Sequence, residues 1–568
     1  MKKWYLPLLF FIPFGVFLRL LSAGFVWDDL TIVPSLAALG NPFVVRGIPW
    51  VDGFYRPIAM LSLRGDYLLW KMNPLGFHLT NLIIHGLNVV LLFLLIRRFV
   101  GDRAAFFPAL LFGIHPAVTE AVGWVSCRFD LLALFFFLLA ANSLCSFLEE
   151  KRVWLLMLVL IFAACSCLSK ETGIAMVFLL PAIVYAKRPS TKKPLLIFAV
   201  ALGVLMAVGV FALRGKVAAK YLSSGNVTVE GLHMFGLLVY KVVAFNMLTP
   251  YSACQLPTLG MGTSVFALTV IGASLIFIVL SVRKSGLTGV GLIWFLLVMI
   301  PGVFISLTKG YRVPAADRFL YSAIPGLSFA VAMILKRYAA KGVLPALIVV
   351  GLVFAVVSFG RAGVWLSAET LWSDADAKCG GEWSYPIHSL AASALAEGDL
   401  AAAEPLFVKL VHGLDDGRLK ARYEVENGIS LIQGLSSLGS IRQRKDDFRG
   451  AEFYFLRADR EYARFATEHP KSGKWELAPT HWEMAAFFYA DALRQRNAAL
   501  LSRAFEHIDL AIKNRQMPYD AFRLKAYIQF AMTHCAEAVE TLRGAAELAP
   551  SLEGNRRETE MMAVRCGR

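Results

Sequence analysis

Two adjacent acids, Asp28-Asp29, follow Trp27 directly after an apolar stretch at 4–22. A carboxylate held beside a hydroxyl can take its proton. Two like charges side by side raise one of the two pKa values, which suits a base. Cations follow further along. Tyr55-Arg56-Pro57 offers a guanidinium, whose planar fork matches phosphate oxygens. Ser169-Lys170-Glu171, Tyr311-Arg312 and Asp317-Arg318-Phe319-Leu320-Tyr321 bring more charge. His78, Asn81 and His85 are spaced to share one helix face. His115-Pro116 precedes Glu120, Trp124, Arg128 and Asp130. His78, His115 and Glu120 could bind a polar substrate or support the residues that do. A third metal ligand of the usual kind is not evident beside them, so no metal or other cofactor is expected. The plain alternatives are a solvated turn for the acid pair and headgroup contacts for each cation.

The elements that must position these residues are membrane helices. Of 568 residues 57% are hydrophobic, and the mean hydropathy is +0.59. That is too apolar for one soluble protein of this size. Residues 1–360 hold repeated apolar runs of about 20 residues, enough to cross a bilayer. From Arg361 onward the chain is charged and polar, so the main boundary falls near 361–385. The expected spans are 4–22, 80–96, 104–121, 129–148, 153–169, 172–186, 194–213, 264–282, 286–307, 317–335 and 342–360, about eleven in all. Met1-Lys2-Lys3 with 4–22 resembles a signal peptide, but no small-residue cleavage site follows, so it reads as a retained span.

The net charge of +16 does not point to nucleic acid. Lys and Arg collect in alternate short loops, at Arg97-Arg98, Lys151-Arg152, Lys187-Arg188, Arg283-Lys284 and Lys336-Arg337, as cytoplasmic loops require. The N-terminus is then inside, and the acid pair and the C-terminal part are outside. Segment 231–250, interrupted by His233, Lys241 and Asn246, reads as an interfacial helix. If it spanned, the C-terminal part would be cytoplasmic. The chemistry-bearing residues sit at span ends on the outer side, where a membrane-surface cavity would form. A transporter would place them near the bilayer midplane in repeated halves, and no such repeat is present.

Residues 385–568 read as helical hairpins. Tyr519–Pro550 and His388–Val411 carry the best repeats, the latter with Ala396-Glu397-Gly398-Asp399 as its turn. Segments 419–468 and 480–514 are also periodic. Such repeats stack and expose a binding face, or simply cap the membrane part. Cys165 and Cys167 lie in an apolar run as small core residues. Cys379, Cys535 and Cys566 could form a disulfide in an oxidising compartment, but spacing does not pair them.

Trp27-Asp28-Asp29 resembles the acidic pair of GT-C glycosyltransferases. Tyr55-Arg56-Pro57, His78-Leu79-Thr80-Asn81 with His85, His115-Pro116-Ala117-Val118-Thr119-Glu120-Ala121-Val122, Leu168-Ser169-Lys170-Glu171 and Asp317-Arg318-Phe319-Leu320-Tyr321 are similar, in that order, to the transmembrane-and-TPR O-mannosyltransferases, relatives of the lipid-A aminoarabinose transferases. Asp317 departs from the Glu usual there. The resemblance implies an all-α fold: a GT-C-like membrane domain at 1–375 and a periplasmic TPR-like domain at 385–568. It implies an inverting transfer of a hexose from a polyprenyl-phosphate donor to Ser or Thr of an exported protein. Asp28 would be the base and Asp29 would orient it or the acceptor. Arg56 would lead the phosphate ligands, followed by Arg318 and Lys170, with Glu171 beside it. The implied setting is a bacterial inner membrane, and the implied partners are the lipid donor and an acceptor captured by the repeats. Two rivals stand beside this: the same chemistry on a lipid or surface glycan, and a non-catalytic scaffold. The sugar and the oligomeric state are not legible.

Overall fold

The computed structural model describes residues 3–38, 55–187, 200, 204, 227–257, 261–283, 288–307, 313–338, 343–470, 472–474, 476–514, 519–548 and 553–567. Among these the fold is all-α and of membrane type. No strand forms, and the one β-type contact is the bridge Trp383–Lys420. The chain divides into two compact units, Met1–Lys378 and Cys379–Arg568.

In the first unit five described helices are long and apolar enough to cross a membrane: Pro74–Val100, Val125–Glu150, Gly262–Leu280, Thr288–Ser306 and Val343–Trp365. The first two are 61% buried within the protein, whereas Gly262–Leu280 and Val343–Trp365 are only 6% buried. An apolar helix with so little protein around it needs lipid rather than water as its solvent. Pro74–Val100 is therefore central. It opens with Pro74 in the first turn and Asn73 as cap, accepting from Leu75 N at 3.2 Å. It ends at Gly101, whose φ of 81° suits glycine.

Several expected spans are interrupted. The run at 104–121 is a bent pair, Asp102–Gly113 and Pro116–Gly123, turned by 52° at the break; Pro116 lacks the N–H that would continue the first helix. Counting that pair as one crossing makes six. The stretch 4–22 is a helix at Tyr5–Val16 followed by a 3-10 turn at Leu18–Ser22. The stretch 172–186 is broken between Thr172–Val177 and Leu180–Lys187, and 317–335 begins with the 3-10 turn Asp317–Leu320 before Ile324–Tyr338. Hydropathy counts apolar side chains and is blind to these breaks. In segment 231–250, the helix Val227–Lys241 stops at the lysine, and a 3-10 turn follows at Phe245–Met247. The run 194–213, apart from positions 200 and 204, and Tyr311-Arg312 lie outside the described residues.

The second unit is built of consecutive packed helix pairs: Ser384–Ala396 with Leu400–Asp415, Glu424–Arg444 with Phe448–Glu468, Ala478–Gln495 with Ala498–Asn514, and Tyr519–Ala531 with Cys535–Leu548. The turn at 397–399 works as its composition requires. Gly398 has φ 83°, and Asp399 caps the next helix by accepting from Ala402 N at 2.9 Å. Phe407, Leu410, Leu435, Phe455 and Phe488 share one core across the pairs. Glu553–Arg565 closes the unit, and a disulfide joins Cys535 to Cys566.

Candidate active site

The acid pair lies where the chain leaves its first apolar helix. Trp27 has φ 55°, an uncommon conformation for a bulky residue. Packing sustains it: its ring stacks on Trp124 at 4.7 Å and 12°, and Trp372 meets it edge-on at 5.1 Å. That turn sends the two carboxylates to different places. Asp29 is fully buried. It accepts from Val26 N at 3.3 Å, from Ser126 N at 2.9 Å and from Ser126 Oγ at 2.5 Å. Burial pushes its carboxyl up to about 7 against those hydrogen bonds, and the neighbouring Asp28 charge adds to the rise. Asp28 is exposed, and its carboxylate has no hydrogen-bond partner among the described residues. The protein crowding around it raises its carboxyl above the usual range, while Arg318 pulls it back down. Solvent access at its edge limits how far that crowding can act.

The expected phosphate ligands Arg56, Lys170 and Arg318 are each ion-paired. Arg56 makes a fork with Glu171, Nε to Oε1 at 3.2 Å and Nη2 to Oε2 at 2.8 Å, and lies over the Phe129 ring. Lys170 Nζ donates to both oxygens of Asp130 at 2.6 Å. Arg318 Nη1 donates to Glu120 at 2.5 Å and faces the rings of Trp124 and Trp27. The neighbours Lys170 and Glu171 thus reach separate partners, and so do Asp317 and Arg318, since Asp317 accepts from Lys241. Among these, the Arg56–Glu171 pair is the more open, with side chains 14% and 24% exposed.

The histidines are buried. His78 Nε2 donates to Gly24 O at 3.2 Å, which ties the central helix to the start of the acid-bearing loop; its Nδ1 has no partner among the described residues. His85 Nε2 donates to Gly113 O at 2.8 Å. Its Nδ1 then accepts from the Tyr321 hydroxyl at 3.0 Å, and that oxygen accepts from Asn88. His115 caps the turn Pro116–Val118 by accepting from Ala117 N at 3.2 Å, and its ring packs on Phe245 and Phe354. The structure thus gathers Asp28, Asp29, Glu120 and Arg318 around Trp27 and Trp124, and sets Arg56-Glu171 and Lys170-Asp130 as paired charges. His115 instead lies in an aromatic pocket.

A sequence model of the dolichyl-phosphate-mannose-protein mannosyltransferase family matches residues 58–212. The chain is 35% identical over 183 residues to protein O-mannosyl-transferase Tmtc1 of Drosophila melanogaster, covering 30% of this chain and 21% of that one. It is 33% identical over 174 residues to TMTC3 of Mus musculus, covering 28% and 19%. Over these stretches the chain resembles protein O-mannosyl-transferases. A longer likeness, 24% identical over 400 residues, covers 64% of this chain and 56% of a protein O-mannosyl-transferase of Caenorhabditis elegans. The chain thus spans about a fifth of the length of the more identical relatives. The family match contains His78, His115, Glu120, Lys170 and Glu171, while Asp28, Asp29, Arg56 and Arg318 lie outside it.

Other residues of this candidate site escape sequence reasoning. Ser126 carries two of the three hydrogen bonds to Asp29, and nothing marks a lone serine. Arg128 is wholly buried and donates to Asn81 Oδ1 at 2.6 Å, Asp66 Oδ2 at 2.5 Å, Ser62 Oγ at 3.2 Å and Phe77 O at 2.7 Å. Its residue type was visible, but its partner Asp66 was not. Lys241 carried a signal: a lysine interrupting an apolar segment needs a buried partner.

Proposed function

We propose that this chain is a membrane glycosyltransferase that moves a hexose from a polyprenyl phosphate to Ser or Thr of an exported protein. The observation that carries it is the division of labour in the acid pair. The Asp28 carboxylate is accessible and has no hydrogen-bond partner among the described residues, beside an Asp29 held by three. The protein O-mannosyl-transferase names of its relatives support the acceptor class. In this reading the acceptor hydroxyl oxygen attacks the anomeric carbon from the face opposite the phosphate. The C–O bond to phosphate breaks and its electron pair leaves with the phosphate, so the centre inverts. The hydroxyl proton goes to Asp28 Oδ, and Asp29 holds the loop that aims it.

Developing charge on the phosphate oxygens needs cations already in place. Arg56 is the leading candidate, since its pair is the more open. Lys170 and Arg318 follow, and the carboxylates facing all three hold them in position until phosphate shares them. These cations supply the charge without a metal. The disulfide Cys535–Cys566 supports an oxidising, periplasm-like compartment for the C-terminal unit, whose packed helix pairs are read as TPR-like repeats that take up the acceptor protein.

The test is transfer from a lipid-linked hexose to acceptor peptides by the purified chain. Asp28→Asn keeps shape but cannot take a proton. Its transfer rate is expected to fall by roughly 10²–10⁴-fold, with folding and donor binding near wild type. Asp29→Asn is expected to lose less. Full activity of the double variant would end the base assignment, and sugar found on lipid but never on protein would end the acceptor assignment.

A further inference from the structure

Lys241 ends the helix Val227–Lys241 and is wholly buried. Its ammonium donates to Asp317 Oδ1 at 2.6 Å, Ser252 Oγ at 2.6 Å and Ala315 O at 3.1 Å. Ser252 Oγ donates to the same carbonyl at 3.3 Å, and Ala315 N donates to Ser306 Oγ at 3.0 Å. The backbone at Ala315 is thus pinned on both sides, in the left-handed region at φ 48° that alanine rarely adopts. That strained point aims the turn Asp317–Leu320, from which Asp317 goes to Lys241 and Arg318 to Glu120.

We propose that Lys241 is a positioning residue for the candidate site. By neutralising Asp317 it keeps Arg318 on Glu120, with its charge within reach of Asp28. The catalytic consequence rests on the function proposed above; the electrostatic one does not. Arg318, from the turn Asp317–Leu320, acts on Asp28, and Asp29 on the same turn feels the Asp28 charge. The groups acting on Arg318 include Glu120, and Glu120 in turn feels both Asp317 and Lys241. Remove the ammonium and the buried Asp317 carboxylate, one residue from Arg318, loses its paired cation and keeps the unpaired attraction of Lys378. Arg318 is then drawn toward Asp317 and less of its charge is felt at Asp28. An opposite charge nearby lowers a carboxyl pKa, so its withdrawal raises it.

The experiment reads Asp28 directly. The full-length chain in detergent is treated with a carbodiimide and an amine over a pH series, and mass spectrometry gives the midpoint at which Asp28 becomes reactive. Lys241→Met is expected to raise that midpoint by roughly one unit, the low end of what a nearby charge commands. Lys241→Arg should stay near wild type. Lys241→Met with Asp317→Asn should return toward wild type, because both charges are gone. Asp317→Asn alone, which leaves the ammonium unmatched, should lower the midpoint. That variant carries the test if Lys241→Met does not fold. An unmoved midpoint in Asp317→Asn, or a double variant as shifted as Lys241→Met, would overturn the proposal in favour of simple packing. In the transfer assay Lys241→Met should move the acidic limb of kcat to higher pH. No transfer by the wild type would sink the proposed function and leave the labelling result standing.

Discussion

In the membrane unit the side chains of Lys241 and Asp317 are 0% and 3% exposed, and those of Arg128 and Asp66 are 0% and 8%. In the C-terminal unit Arg418 and Asp416 pair at 75% and 42%, and Arg464 and Glu468 at 73% and 53%. The contact distances are alike, at 2.5 Å for both Arg128–Asp66 and Arg418–Asp416. The surroundings differ. A buried ion pair costs several kcal/mol per ion in lost hydration and holds only while both partners and their further hydrogen bonds are in place. An exposed pair contributes little, since water and salt screen it. Proximity of opposite charges therefore says nothing until burial is known. Here it separates pairs that hold a site from pairs that decorate a helix.

Single substitutions can break that contrast. Asp66→Ala should be the most damaging to stability. It strands the buried Arg128 guanidinium and removes one of the two acceptors of Thr80 Oγ1, a loss of about 3–5 kcal/mol. A shift in the thermal midpoint of the intact chain would measure it. A change no larger than that of a surface pair would show that water reaches Arg128.

The next effect is a pH dependence in the C-terminal unit. His481 Nδ1 lies 3.0 Å from His507 Nδ1, and His507 Nε2 donates to Asp459 at 3.1 Å. With that donation fixed, His507 Nδ1 accepts from His481, whose Nε2 is buried without a partner among the described residues. Burial is the main cause that pushes His481 down to about 3 from the usual 6.5. The unfolded chain therefore binds a proton below pH 6.5 that the folded chain refuses until about pH 3. Stability should fall as pH drops through that window, by about 1–2 kcal/mol at pH 5. His481→Phe should flatten the slope of unfolding midpoint against pH between 7 and 5; an unchanged slope would remove the pair as its source. The smallest effect should belong to Arg418→Ala, which is expected to leave the unfolding midpoint where it is. A clear loss there would contradict the comparison from the other side.

Much of the helical content was legible. Apolar runs at 80–96, 129–148, 264–282, 286–307 and 342–360 correspond to the five long apolar helices, because nothing but a helix satisfies the backbone within a run of that length in lipid. The broken segments were less legible, since Pro116 and the turn at Asp317–Leu320 sit inside runs that hydropathy averages smoothly. The resemblance to O-mannosyltransferases was readable from short motifs, and the family match at 58–212 contains those at His78, His115 and Lys170. At the candidate site, residue types were visible while their states were not. Lys170 was a candidate phosphate ligand by type, yet its ammonium is held by both oxygens of Asp130. His115 was a candidate sugar ligand, yet it caps a turn among aromatic rings.

The sequence by itself determined that the chain enters a bilayer, because stretch length and apolarity set the cost of every alternative. It also determined the chemical inventory: an acid pair after the first helix, and Arg, Lys, His and Glu gathered near span ends. Tertiary structure alone decided which acid is open and which is locked. Asp28 and Asp29 are the same residue type one position apart, and only the left-handed turn at Trp27 and the arrival of Ser126 tell them apart. It decided the pairings too. Arg318 meets Glu120 across 198 positions, Arg56 meets Glu171 across 115, and Lys241 meets Asp317 across 76. Charges that far apart carry no local periodicity; what brings them together is the packing of the helices that bear them, and the low dielectric of that packing makes each pairing matter.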